Sequence, residues 1–222
     1  MRGWGAVLLG AIVAVGPAEA GPWARDEGGF YLRGLVSSET LEGLDGFRGD
    51  VYGEYGLTDR WTLTGKSEAV AYEDSIGNID RQSYRLTARR QLWSRKGFTF
   101  GMEGGPVYGS AIAGTYGCDE WGAEARLSSG YSGVRRNLGY YLFADIAAIS
   151  HQDGCLRERA EFGYGADISD RIFVTQQVWL ERSNDSADSN KYESQIGYHL
   201  GHFDVAVGYR EEFGGAYEES AW

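Results

Sequence analysis

The chain has 222 residues, enough for one β-barrel or sandwich domain, and 32 acidic against 21 basic residues give it a formal net charge of −11. That balance argues against nucleic acid as a partner, because gripping a polyphosphate takes basic surface. Glycine is frequent at 34, tyrosine and tryptophan stand at 15 and 7, and proline is rare at 3; this suits bent strands with interfacial aromatics better than a soluble sandwich rich in Val, Ile and Leu.

The first segment reads as an export signal. Met1-Arg2 makes a short basic start, residues 6–15 form an apolar run, and Ala18-Glu19-Ala20 supplies an A-x-A end. Pro17 is a helix breaker just ahead of that end. The run is too short to span a bilayer, which takes about 20 apolar residues. We expect residues 1–20 to be a cleaved signal peptide and residues 21–222 to form one exported domain.

From there on the sequence alternates with the period of two that marks a strand. Residues 47–57 show it best: Phe47, Gly49, Val51, Gly53, Tyr55 and Leu57 share one face, and Arg48, Asp50, Tyr52 and Glu54 the other. After the polar turn Thr58-Asp59-Arg60, Trp61, Leu63, Gly65 and Ala69 oppose Thr62, Thr64, Lys66 and Glu68. The pattern recurs with Arg85 and Arg89, with Glu103, with Glu124 and Arg126, with Arg159 and Glu161, with Glu193, and with Arg210 and Glu212 on the polar side. Residues 30–36 and 172–181 are less regular, and residues 138–149 are apolar on both faces.

Connections alternate too. Short ones fall at 58–60, 94–97, 133–137, 169–171 and 201–202; longer ones fall at 37–46, 73–81, 106–119, 150–156 and 183–191. Tight turns at one end and longer loops at the other are the rhythm of a transmembrane barrel. The turn 57–61 is echoed at 168–172, which reads as reused turn chemistry. The expected fold is therefore all-β: a transmembrane antiparallel up-and-down β-barrel of about 10–12 strands. After Tyr209 only residues 214–222 remain for a final strand, so closure stays open. A negative mean hydropathy fits, since only alternate strand residues would meet lipid.

Alternation alone does not say which face points outward. Trp61, Phe98 and Phe203 follow short turns and Trp93 precedes one, which makes an aromatic ring near one rim and favours apolar-out. The candidate lumen residues are then Arg48, Asp50, Glu54, Lys66, Glu68, Arg85, Arg89, Glu103, Glu124, Arg126, Arg159, Glu161, Glu193, Arg210 and Glu212. They could line a polar passage for small hydrophilic solutes, or fill the lumen with ion pairs. Strand number decides how much room is left, and both readings stand.

Strand parity puts Cys118 and Cys155 in adjacent loops at the outer end, where an oxidising compartment would allow a disulfide. Two free thiols or a metal site are the alternatives, and a metal would need more ligands than the chain offers. We assign no metal, cofactor or catalytic residue. Ser150, His151 and Asp153 invite a nucleophile–base reading, but close neighbours on a loop lack a fixed geometry for proton transfer, and no G-x-S-x-G elbow is present. His199 reads as a lumen residue and His202 as a turn residue.

The start Gly21-Pro22-Trp23, the run Tyr52-Gly53-Glu54-Tyr55-Gly56-Leu57-Thr58-Asp59-Arg60 and the terminal Trp222 resemble small proteobacterial outer-membrane β-barrel proteins, a group of barrel and transport proteins. The likeness covers residues 21–222 in rhythm, and the first hairpin and the two ends in motif. It implies a Gram-negative outer membrane, contact with its lipid, insertion by the barrel-assembly machinery, and passage of small hydrophilic solutes; it carries over no functional residue. The function expected first is a narrow channel or passive transporter. A structural or surface-binding barrel with a plugged lumen comes second, a lipid-modifying enzyme third, and a soluble periplasmic barrel fourth.

Overall fold

The computed structural model describes residues 11–14, 21–72, 80–111, 118–185, 188–201, 203–215 and 218–222. Its strands are β1 (Ala11–Ala14), β2 (Phe30–Leu41), β3 (Leu44–Thr58), β4 (Trp61–Tyr72), β5 (Arg81–Arg95), β6 (Phe98–Gly109), β7 (Trp121–Arg135), β8 (Leu138–His151), β9 (Leu156–Asp167), β10 (Ile172–Ser183), β11 (Ser189–His199), β12 (Phe203–Gly215) and β13 (Glu219–Ala221). From β2 to β12 each strand pairs antiparallel with its chain neighbours. Two short strands close the ring between β12 and β2. β13 pairs with Leu41, Thr40 and Glu39 at one end of β2, and β1 pairs with Gly34, Arg33 and Leu32 at the other. Both also pair with β12 and run opposite to β2, so together they fill the twelfth place of a closed up-and-down barrel. Of residues 1–20, only 11–14 are among the described residues, as the backbone of β1.

The end that carries the β2–β3, β4–β5, β6–β7, β8–β9, β10–β11 and β12–β13 connections is the upper end. Local chemistry explains the turns. Glu42-Gly43, Lys96-Gly97 and Arg136-Asn137 each place two successive residues at positive φ, the geometry that matches strand twist in a two-residue hairpin. The turn at 57–61 and its echo at 168–172 do share chemistry: the Thr58 hydroxyl accepts from the N–H groups of Arg60 and Trp61 at 3.3 and 3.2 Å, and the Ser169 hydroxyl from those of Arg171 and Ile172 at 3.3 and 3.1 Å.

One expected long connection is overturned. Residues 37–46 are a tight hairpin, with β2 running to Leu41 and β3 starting at Leu44. The polar run Ser37-Ser38-Glu39-Thr40 looked like loop because its inward Ser37 and Glu39 are buried in a polar interior. Residues 138–149 are apolar on both faces for a physical reason: outward Leu142 and Ile146 are exposed, while inward Phe143 is packed inside the barrel.

The barrel is inside-out relative to a soluble one. Phe47 and Val51 are 51% and 53% exposed, whereas their neighbours Arg48 and Asp50 are 3% and 5% exposed. The interior is therefore a polar core, with a small apolar cluster of Leu41, Val70, Tyr72 and Leu44 near the upper end.

Candidate functional site: a charged lumen in two storeys

The lower lumen is occupied by residues 21–29. This segment leads into β2 from inside the barrel and touches inner-face residues of strand after strand. Arg25 pairs with Glu54 of β3 at 2.5 Å and lies over the Tyr31 ring. The backbone N–H groups of Arg25 and Ala24 donate to Thr62 of β4 (2.8 Å) and Gln91 of β5 (3.2 Å). Pro22 reaches β6 at Gly101, where a Cβ would sit 3.0 Å from the Pro22 carbonyl oxygen. Trp23 lies on Gly130 of β7, where a Cβ would come within 2.6 Å of its ring, and meets Tyr141 of β8 edge-on at 6.0 Å. Gly56 admits the segment's backbone, since a Cβ there would collide with the Asp26 carbonyl. The inward aromatics of β8 thus serve to receive Trp23.

Two arginine hubs sit just above. Arg89 holds Glu103 at 2.8 Å, Glu54 at 2.9 Å and the Tyr52 hydroxyl at 3.1 Å, and also donates to the Trp23 carbonyl at 3.3 Å. Thr87 and Thr64 both donate to Glu103. Arg126 holds Glu124, Asp145 and Glu161 at 3.0, 3.1 and 3.3 Å. A buried charge is tolerated when it is paired and hydrogen-bonded, and these are.

The upper storey encloses a cavity of about 190 Å³. Arg48 at its edge is fully engaged by Glu39 (2.7 Å), Glu68 (2.7 Å) and the Ala111 carbonyl (3.0 Å). Ser110 and Ala111, at the start of the β6–β7 connection, turn into the barrel: both are buried, and Arg157 reaches the Ser110 hydroxyl at 3.4 Å. Arg157 and Arg159 share one carboxylate, Glu181, each at 2.5 Å. Lys66 sits at 3.0 Å from Asp50 and 2.6 Å from Glu68, and Lys191 at 2.7 Å from Glu219. Eight basic and five acidic residues line the cavity, together with His151.

No family model matches the chain, and no curated protein matches it in sequence. The arrangement must be read from its own residues.

The structure places Arg48, Asp50, Glu54, Arg89, Glu103, Glu124 and Glu161 as buried side chains on the inner face. Lys66, Glu68, Arg85, Arg126, Arg159, Glu193, Arg210 and Glu212 join them in the interior networks. Sequence reasoning missed Arg25, Glu39, Asp145, Arg157, Glu181, Lys191 and Glu219, all of which pair inside the barrel. Parity would have found two of them, since Arg157 lies two residues before Arg159 and Lys191 two before Glu193.

Cys118 and Cys155 form a disulfide with Cα atoms 5.2 Å apart, tying the β6–β7 and β8–β9 connections. Asp153 clasps it from both sides, accepting from the N–H of Asp119 and of Cys155, each at 3.0 Å. Ser150 and His151 are consecutive on β8 and face opposite ways, Ser150 exposed and His151 buried, so they do not form a nucleophile–base pair. The His151 Nδ1 faces the Glu120 carbonyl at 2.9 Å and must be the donor, which leaves Nε2 without a partner among the described residues. His199 lies between Asp204 and Asp167 at the lower rim, at 2.8 and 3.3 Å. His202 lies outside the described residues.

Proposed function

We propose that this chain is an outer-membrane β-barrel whose lumen is closed below by its own residues 21–29, and that small hydrophilic solutes enter the upper cavity without flowing freely through. Membrane insertion is supported by the outer surface. Leu86, Met102, Leu127, Ile146, Phe162, Ile196 and Val207 are all exposed on seven of the strands around the barrel, far more apolar surface than a soluble monomer presents. Aromatic clusters flank that band: Phe98, Tyr131 and Tyr140 toward the lower end, and Tyr84, Tyr108 and Trp121 toward the upper. Residues 1–20 carry the pattern of an export signal, with the tight turns then on the periplasmic side; its cleavage would remove β1 and leave β13 alone between β12 and β2.

The observation that carries closure is the reach of residues 22–25 from Glu54 on β3 to Tyr141 on β8. A passive channel requires that segment to leave. The test is current through a planar lipid bilayer holding the purified full-length protein, and a variant lacking residues 22–27. The wild type is expected to stay at the baseline and the deletion to give discrete, salt-dependent steps. Discrete steps from the wild type would overturn closure and establish the open channel instead.

A further inference from the structure

We propose that the seam between β2 and β12 is a docking slot for an extended strand of a second polypeptide, held by its main chain as the lower part of the twelfth strand. This rests on the reading of the chain as a membrane barrel whose residues 1–20 are an export signal and are removed.

The first observation is the make-up of the twelfth place. Strands β3 to β11 each pair with both of their chain neighbours, whereas β2 and β12 meet only through two short segments. At the upper end, Glu219–Ala221 pair with Leu41, Thr40 and Glu39, and Trp222 continues the ladder by exchanging backbone hydrogen bonds with Ser38 at 3.0 and 3.1 Å. At the lower end, Ala11–Ala14 pair with residues 203–206 of β12 on one side and with Leu32, Arg33 and Gly34 of β2 on the other. Removing the signal removes that lower segment and bares two facing strand edges. Just above it, a cavity of about 30 Å³ lies in the wall between residues 35–37 of β2 and 208–210 of β12, bounded by Trp222.

The second observation is that no other described residues are free to fill the slot. The edges of the other strands are paired, and residues 21–29 are held inside the barrel through Thr62 and Gln91. Nor can β2 and β12 simply close on each other. They stand two strand spacings apart, about 10 Å, and direct pairing needs about 5 Å. Glu219 keeps them apart above, pinned by Lys191 at 2.7 Å, Arg210 at 3.3 Å and Arg48 at 3.5 Å.

The chemistry of the slot selects its occupant. An open sheet edge is not tolerated in hydrocarbon, and an acyl chain has no donor or acceptor to offer it. An extended peptide offers both along both sides, and Ala11–Ala14 show the geometry, antiparallel to β2 and β12 at once. Their register also sets a pattern. The place of Val13 lies opposite Arg33 and Asp204 on the lumen side and calls for a small or polar residue. The places of Ile12 and Ala14 lie opposite Val205 and Phe203 on the outer side, where Phe30, Leu32, Val36 and Val207 are exposed, and call for apolar ones. The fitting ligand is an alternating strand of about six residues, about 20 Å long.

The test uses the exported protein, purified after its cell fraction is recorded and weighed by mass spectrometry, beside the full chain refolded with residues 1–20 attached. Fluorescence anisotropy follows a dye-labelled peptide that alternates valine and threonine. The exported chain is expected to begin after residue 20 and to bind the peptide saturably. The full chain, whose slot its own Ala11–Ala14 fill, should bind at least about tenfold more weakly, as an intramolecular competitor at high local concentration requires. The same peptide with proline at alternate places lacks the main-chain donors and should not bind. A bromoacetyl-tagged peptide locates the site: it should alkylate the thiol of Leu32→Cys beside the slot and leave that of Leu127→Cys on β7 unmodified. No saturable binding by the exported chain, equal binding by the two chains, equal alkylation of the two variants, or an exported mass that still includes residues 1–20 would overturn the proposal. A chain in the membrane fraction that binds no peptide sinks this inference and leaves the membrane reading standing. A chain recovered without detergent in the soluble fraction that binds the peptide does the reverse.

Discussion

The two storeys of the lumen are built from the same residue types and behave differently. In the lower one, every strong cation has short partners: Arg89 meets two carboxylates and a phenol within 3.1 Å, and Arg25 meets Glu54 at 2.5 Å. In the upper one, Arg85 makes only long bonds to a shared carboxylate, and three Nε donors stay open. The lower storey uses its charges to lock backbone segments together. The upper storey arranges its paired charges around a cavity. Charge content alone therefore does not separate the two storeys; the space the side chains leave between them does.

The largest effect that would break this contrast is at the lower hub. Arg89→Met leaves Glu54 and Glu103 buried beside one fewer cation. Breaking a buried pair by removing one partner costs about 3–5 kcal/mol. Urea unfolding in detergent or lipid should show that loss for Arg89→Met and a smaller one for Arg85→Met, because Glu124 keeps Arg126 at 3.0 Å. Equal losses would mean that the two storeys do not differ in kind.

A smaller effect tests whether lipid surrounds both storeys. Ile146 pairs with Leu127 across the β7–β8 ladder, and both face outward near mid-height. Arginine on the lipid face costs about 2–4 kcal/mol at the bilayer midplane and about 0–1 near the interfaces. Ile146→Arg should therefore cost several times more than Trp121→Arg at the upper rim. If the surface met water instead of lipid, both substitutions would be nearly neutral.

The storeys also differ in how far the sequence foretold them. Period-two alternation made most of the wall legible, because a strand's two faces differ whenever one carries charge. The inward residues Arg48, Asp50, Glu54 and Glu103 could be named from it. Glu39 was lost because its strand is polar on both faces near the upper end. Asp145 was lost because β8 turns aromatic residues inward to meet Trp23, which hides its alternation. The occupant of the lower lumen was illegible, since residues 21–29 carry no period and their place depends on contacts with distant strands. The unevenness of pairing that marks the cavity was equally hidden, because it is set by distances across the barrel and not by order along the chain.

The smallest effect concerns the upper rim, where Asp153 holds the disulfide-linked connections. Burial pushes its carboxyl upward, but the N–H groups donated by Cys155, Asp119 and Cys118, together with the His151 charge, outweigh it, and the group sits below the usual aspartate value of 3.8. The sign follows from linkage. A carboxylate favoured in the folded state contributes stability that is fully present above its unfolded value and is lost as pH falls through the folded one. Hydrogen exchange at the amides of Asp119 and Cys155 should therefore stay protected at about pH 5 and open progressively below about pH 4, the ordinary range for a free aspartate. With Asp153→Asn the protection at those two amides should be lower throughout and should lose this pH dependence. Unchanged protection across that range would mean that the disulfide alone orders the rim.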